Sequence, residues 1–103
     1  MIKVNVLYPV GERTQFDMEY YLNQHTPMLQ ARLGTALTSI AIEHGLAGPA
    51  PDTAASFIVL CHLGFTSVEA FQTAFAPHAA EIMGDIANYT NVEPIIQISD
   101  VKL

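Results

Sequence analysis

The sequence predicts an α+β fold of ferredoxin-like type, ordered βαββαβ, in which a four-stranded antiparallel sheet carries both helices on one face. Three observations lead there. Four short apolar segments, rich in β-branched residues, have the look of strands bounded by turn residues. Two longer segments with helical spacing and capping residues fall between the first and second strands and between the third and fourth. The chain has 103 residues, 50% of them hydrophobic, which suits a single core and one domain over residues 1–103.

Ile2 to Pro9 sets Ile2, Val4, Val6 and Tyr8 against Lys3, Asn5 and Leu7, a strand with two distinct faces. After the Gly-Glu-Arg turn, Thr14 or Asp17 can cap a helix running to Leu33, with Gly34 as its stop. Pro27 lies inside this helix and removes the donor that would pair with the carbonyl of Asn23, so the helix is expected to bend or restart there. A second strand, Thr35 to His44, ends in a loop rich in Gly, Ala and Pro, Gly45 to Pro51. The third strand, Ser56 to Phe65, leads into Thr66-Ser67-Val68-Glu69, a capping-box pattern that opens the second helix. Pro77 interrupts this helix, which resumes to about Asn88. The last strand, Val92 to Ser99, carries Pro94 near its start, a position suited to a sheet edge.

Alternation divides the sheet into two faces. One, with Val4, Val6, Tyr8, Ile40, Ile42, Val59, Cys61, Leu63, Ile96 and Ile98, is apolar enough to pack beneath helices. The other mixes Asn5, His62 and Gln97 with Leu7, Leu37, Ile58, Leu60 and Ile95. That second face is too apolar for water, so it is expected to meet the same face of another copy in an isologous homodimer. A charged fraction of only 14% agrees with a covered surface.

Charge excludes one large class of partners. The net charge is −6, and the only fixed cations are Lys3, Arg13, Arg32 and Lys102, which leaves no basic patch for a phosphate backbone, so nucleic acid is not expected. Membrane insertion is not expected either, because no apolar run approaches the roughly 18 residues of a span. The lone Cys61 and a start that reads directly into a strand point to a reducing, cytoplasmic setting.

His25 is the leading candidate for chemistry. At about 100° per residue it falls near the middle of the apolar stripe of the first helix, with Met18, Tyr21, Leu22, Met28, Leu29 and Leu33 around it. Its ring is either a core histidine bonded to a carbonyl or to Tyr8 or Tyr21, or a general acid–base facing a pocket. Tyr21 lies one turn earlier on the same helix face, and Tyr8 points helixward from the end of the first strand, so two phenols and an imidazole can meet one ligand. Cys61 shares that inner face and reads as a buried thiol rather than a nucleophile, since no base or cation adjoins it in sequence. Asp85 can orient a tyrosine or accept from a ligand, and Tyr89 can pack across a dimer edge. Asn88 or Asn91 can take a left-handed turn. The histidines at 25, 44, 62 and 78 have no metal-ligand spacing, and His44 is expected at the opposite end of the sheet from Tyr8. No glycine-rich loop offers a dinucleotide a home.

Taken together, the opening Ile2-Lys-Val-Asn-Val-Leu-Tyr-Pro9, the run Phe16-Asp17 to Tyr20-Tyr21-Leu22-Asn23-Gln24-His25-Thr26-Pro27, and Asp85 through Asn91 before Pro94 and Gln97 resemble the EthD family over nearly the whole chain. The resemblance implies a dimeric α/β barrel, in which two sheets close face to face with helices outside. It also implies a link to alkyl-ether degradation, under a reductase label, and it matches His25 to the family's helix histidine with Tyr8, Tyr21 and Asp85 near it. Relatives of this architecture catalyse diverse reactions, so the fold does not choose among them.

The expected function is thus a small homodimeric enzyme acting on an apolar ether, lactone, phenol or polyketide-like compound. His25 and Tyr21 would be catalytic, with Tyr8, Asp85, Tyr89 and Cys61 contacting substrate, and no metal or cofactor is expected. The alternative is a ligand-binding or accessory protein of an oxygenase or degradation system; haem held by His25 is a third reading.

Overall fold

A computed structural model describes all 103 residues. Its strands are β1 (Ile2–Pro9), β2 (Ser39–His44), β3 (Phe57–Phe65) and β4 (Ile95–Asp100), hydrogen-bonded in the order β2-β3-β1-β4 with every neighbouring pair antiparallel. This is the ferredoxin-like topology. Val4 pairs with Leu63 and Ile98, Val6 with Cys61 and Ile96, and Ile42 with Cys61, so the apolar residues share one face as the alternation predicts.

The first helical segment runs without a break from Met18 to Leu33 but changes pitch twice. Asp17 caps α1 (Met18–Tyr20), its carboxylate accepting from the Tyr20 amide at 3.0 Å. A π-helical turn follows over Tyr21–His25, and α2 (Thr26–Leu33) completes the segment. The wide turn ends just before Pro27, where the proline ring would otherwise press on the preceding turn. Its last bond runs from the Thr26 amide to the Tyr21 carbonyl, which also accepts the Thr26 hydroxyl at 2.8 Å. The extra residue in the turn changes which side chains face inward. Tyr21 and His25 are buried and stack nearly parallel, whereas Leu22, expected on the apolar stripe, is 45% exposed. Gly34 ends the helix with φ of +59°, a conformation in which only glycine is unstrained.

Three boundaries differ from expectation. Gly34–Ala36 forms a 3-10 turn, so β2 begins at Ser39 rather than Thr35. Ser67, not Thr66, caps α3 (Val68–Phe75) by accepting from the Ala70 amide at 3.0 Å, which places Glu69 too early to close a capping box. Pro94 lies outside β4, which starts at Ile95. Pro77 does interrupt the second helical segment, as a 3-10 turn over Ala76–His78, before α4 (Ala79–Gly84) and a further turn at Ile86–Asn88.

The core lies between the inner sheet face and the helices. One cluster unites Ile2, Val4, Leu29, Leu33, Cys61, Leu63, Phe65 and Ile82, with Phe65 wholly buried. A second, at the other end of the sheet, unites Tyr8, Tyr21, Val59 and Tyr89. The helices do not cover the edge strand: Ile96 and Ile98, expected beneath them, remain 46% and 40% exposed. β4 is the outermost strand on its side, and its inner face therefore borders open space.

Candidate functional site

The loop before α1 and the segment after α4 are stitched together, and this brings the site residues into register. Phe16 bridges Thr90, the Asp17 amide donates to the Tyr89 carbonyl at 2.7 Å, and the Thr90 hydroxyl donates to the Gln15 carbonyl at 2.6 Å. Asn91 takes part through its side chain, accepting from the Gln15 amide and donating to the Arg13 carbonyl. Asn88 and Asn91 therefore act through their amides and not as left-handed turns; Asp52 is the one non-glycine residue with positive φ. Tyr89 is drawn into the core, 3% exposed, rather than packing at an outer edge.

His25 Nδ1 lies 2.9 Å from Asp85 Oδ2. Among the alternatives of carbonyl, Tyr8 or Tyr21, the ring thus takes none and pairs with a carboxylate instead. The other oxygen of Asp85 accepts from the Tyr20 hydroxyl at 2.7 Å and from the Asn88 amide at 2.9 Å. Partial burial works against the charge of Asp85, but the bonds from Asn88, Tyr20 and His25 outweigh it and hold the carboxyl below its ordinary range. An ionised carboxylate accepts only, so His25 Nδ1 is the donor, and in the neutral tautomer that this selects the lone pair is on Nε2. Tyr20 feels the converse effect: its bond to Asp85 raises the phenol above its usual value.

Two phenols flank the ring, and a third bonds to one of them. The Tyr89 and Tyr21 ring centres are 4.7 Å and 5.6 Å from that of His25, and the Tyr8 and Tyr89 hydroxyls meet at 2.7 Å. The Tyr8 and Tyr21 rings meet edge to face, with centres 5.9 Å apart. Burial is the main cause that pushes Tyr8, Tyr21, Tyr89 and Cys61 upward in pKa. All four are protonated at neutral pH and can act as hydrogen-bond donors.

These groups border a cavity of about 200 Å³ between sheet and helices. Val4, Val6, Tyr8, Cys61, Leu63 and Ile96 form its floor, Tyr21, His25, Leu29 and Leu33 one wall, and Phe71, Phe75, Ile82, Met83, Ile86 and Tyr89 the rest. Its most exposed lining residues, Met83 at 42% and Ile96 at 46%, mark the open side. Five of the six residues singled out from sequence, Tyr8, Tyr21, His25, Cys61 and Tyr89, line this space. Asp85 does not; it stands behind the imidazole, facing a shallow outer depression with Tyr20, Gln24, Met28 and Glu81. The tyrosine it orients is Tyr20, which sequence reasoning left aside because nothing in the chain marks which of two adjacent tyrosines will face a carboxylate 65 residues away. Asn88 was missed in this role although it lies only three residues from Asp85, a spacing at which side chains meet on a helical turn.

The remaining histidines lie elsewhere. His44 and Tyr8 both pair with Val59, so they lie at the same end of the sheet, contrary to expectation: β1 and β2 each run antiparallel to β3 and hence parallel to one another. His44 is nevertheless exposed and outside the cavity. His62 lies on the outer sheet face, with Nδ1 2.7 Å from Asn5 Oδ1 and Nε2 3.4 Å from Glu43 Oε1. No three His, Cys, Asp or Glu side chains gather in a way that could hold a metal ion. No helix is long and apolar enough to cross a membrane.

Comparison with known proteins places this geometry in a family. The crystal structure of an EthD-like protein from Ralstonia eutropha JMP134 is similar at 47% identity and a TM-score of 0.93, covering 99% of this chain and 92% of that one. An ethyl tert-butyl ether D (EthD) family protein from Bacillus halodurans C-125 shares the fold at 20% identity and a TM-score of 0.76, with 99% of both chains covered. HapK from Hahella chejuensis shares it at 12% identity and a TM-score of 0.62, covering 100% of this chain and 93% of that one. No curated protein matches the chain. The EthD domain model matches residues 11–93, a span that holds His25, Asp85 and the Tyr89 segment, and the chain belongs to the EthD family.

Proposed function

We propose that this protein is a small enzyme in which His25 moves a proton to or from an apolar organic compound bound in the cavity between sheet and helices. One observation carries the reading: the imidazole is fixed at Nδ1 by an ionised carboxylate and lines an otherwise apolar cavity. A base held by a carboxylate, with protonated phenols beside it, is a recurrent arrangement for general acid–base chemistry. Tyr21, and whichever of Tyr8 and Tyr89 does not spend its proton on their mutual bond, would donate to the substrate oxygen and stabilise charge that develops on it. Small ethers, the class in the name of the Bacillus relative, lactones and phenols are compatible in size and polarity.

The enzyme is proposed to work as a cytoplasmic homodimer that buries the outer sheet face around Leu7, Ile58, Leu60 and Ile95. A stable interface takes about 800 Å² from each partner, and the partly exposed Leu7, Ile58 and Leu60 with the exposed Ile95 would lie within it. A monomeric mass by light scattering at micromolar concentration would overturn the dimer.

The catalytic role is tested by incubating the protein with sets of small ethers, lactones and phenols and following each mixture by mass spectrometry. A compound that is turned over should lose at least about a hundredfold in rate with His25→Ala, within the usual worth of a general acid–base group. Full turnover by His25→Ala would end the catalytic role. Saturable binding without product would favour the carrier or accessory reading.

A further inference from the structure

The two ends of the cavity differ, and the difference selects a ligand. At one end His25, Tyr8, Tyr21 and Tyr89 converge; at the other Leu33, Phe71, Phe75 and Ile82 offer only hydrocarbon. His25 Nε2 has no partner in the protein, and no side-chain nitrogen or oxygen shut off from solvent lacks one, so Nε2 borders open space. His25 is 4% exposed, and the space it lines is this cavity. Nε2 is thus an acceptor that the protein leaves open within a largely hydrocarbon-walled space, and a ligand hydroxyl can bond it in place of water.

Size and charge narrow the class further. An engineered cavity of about 150 Å³ holds benzene, so about 200 Å³ holds one ring with a short substituent. None of the four Lys and Arg residues lines the space, so an anionic head group would be buried without a counter-ion, with the Asp85 carboxylate behind the imidazole opposing it.

Resting on the reading of the cavity as a substrate site, we propose that its ligand is a neutral single-ring compound whose phenolic or enolic hydroxyl donates to His25 Nε2. The hydroxyl oxygen in turn accepts from a tyrosine, and the hydrocarbon tail points toward Phe71 and Phe75.

Calorimetric titration with para-ethylphenol, para-ethylanisole, ethylbenzene and para-ethylbenzoate tests this directly. The phenol should bind roughly tenfold or more tightly than ethylbenzene and the methyl ether, the usual worth of a buried hydrogen bond, and the benzoate should not bind. Asp85→Asn supplies a second reading that does not depend on removing the ring. Tyr20 and Asn88 both donate to the same atom, so that atom must be the new amide oxygen, and the amide nitrogen then donates to Nδ1. The proton moves to Nε2, and the preference for phenol over methyl ether should shrink or reverse in this variant. Equal affinity for phenol, methyl ether and ethylbenzene would overturn the hydroxyl requirement while leaving the cavity a binding site. Tighter binding of the benzoate would overturn the neutral class. Absence of binding by any of the four would overturn both this proposal and the substrate-site reading on which it rests.

Discussion

The Tyr20 hydroxyl donates to Asp85 at 2.7 Å on the carboxylate oxygen opposite the one that meets His25. The imidazole is thereby oriented by a group that is itself oriented from the far side, and α1, the π-turn and the segment after α4 are joined through one carboxylate. Supporting bonds of this kind set a tautomer as well as a position.

Acid should dissolve this junction in a defined range. The carboxyl of Asp85 is held below its ordinary value of 3.8 in the folded protein, so the unfolded chain binds the proton first. Its contribution is fully present above that value and is lost as pH falls through the lower, folded one. Urea unfolding of wild type and Asp85→Asn should therefore show the variant less stable at neutral pH, with the gap closing in strong acid. A gap that stays constant with pH would mean that the charge of Asp85 contributes nothing. Tyr20→Phe should lower stability in the same direction, and by less in the Asp85→Asn background, where the hydroxyl meets a neutral amide oxygen instead of a carboxylate.

Alkali should act through the phenols. Tyr8, Tyr20, Tyr21 and Tyr89 are the four tyrosines of the chain, and all are raised above the ordinary 10.0. Above pH 10.0 the unfolded chain releases phenolic protons that the folded one retains, so stability falls as pH rises further. Tyrosinate absorbance from Tyr8, Tyr21 and Tyr89, which burial raises, should appear together with loss of the folded circular-dichroism signal, not before it. Cys61, 3% exposed and with its thiol pushed up by burial, should resist alkylation until the same transition. Normal titration of Tyr8, Tyr21 or Tyr89 in the folded protein would contradict the packing of the aromatic cluster.

The Tyr8–Tyr89 contact can be measured by a double-mutant cycle. Tyr89→Phe leaves the Tyr8 hydroxyl in an apolar wall without its 2.7 Å partner, at a cost of about 1–3 kcal/mol. Tyr8→Phe should cost a similar amount. The double variant should be less destabilised than the sum, since no orphaned hydroxyl of the pair remains; chemical denaturation gives all four corners. Strict additivity would mean that the two hydroxyls do not interact.

The sequence determined the order of elements, the sheet faces and the end of the first helix at Gly34, because these follow from local rules: strand alternation, capping, and the conformational freedom of glycine. It also singled out His25, Tyr8, Tyr21 and Cys61, which line the cavity, since an ionisable or polar residue on an apolar face stands out in a linear pattern. Tertiary structure alone decided that Asp85 serves the imidazole and not the ligand, that Tyr20 is the tyrosine it orients, and that Tyr89 turns inward. Those relations join residues 60 to 81 positions apart, and they depend on how α4 and its following turn settle against the first helix. The π-turn belongs with them: Pro27 announced a disturbance, but which side chains rotated inward was decided by the packing of Tyr21 and His25 against Tyr89. The open side at Ile96 had the same origin, because a strand pattern reports which residues share a face and not how far the helices above extend across it.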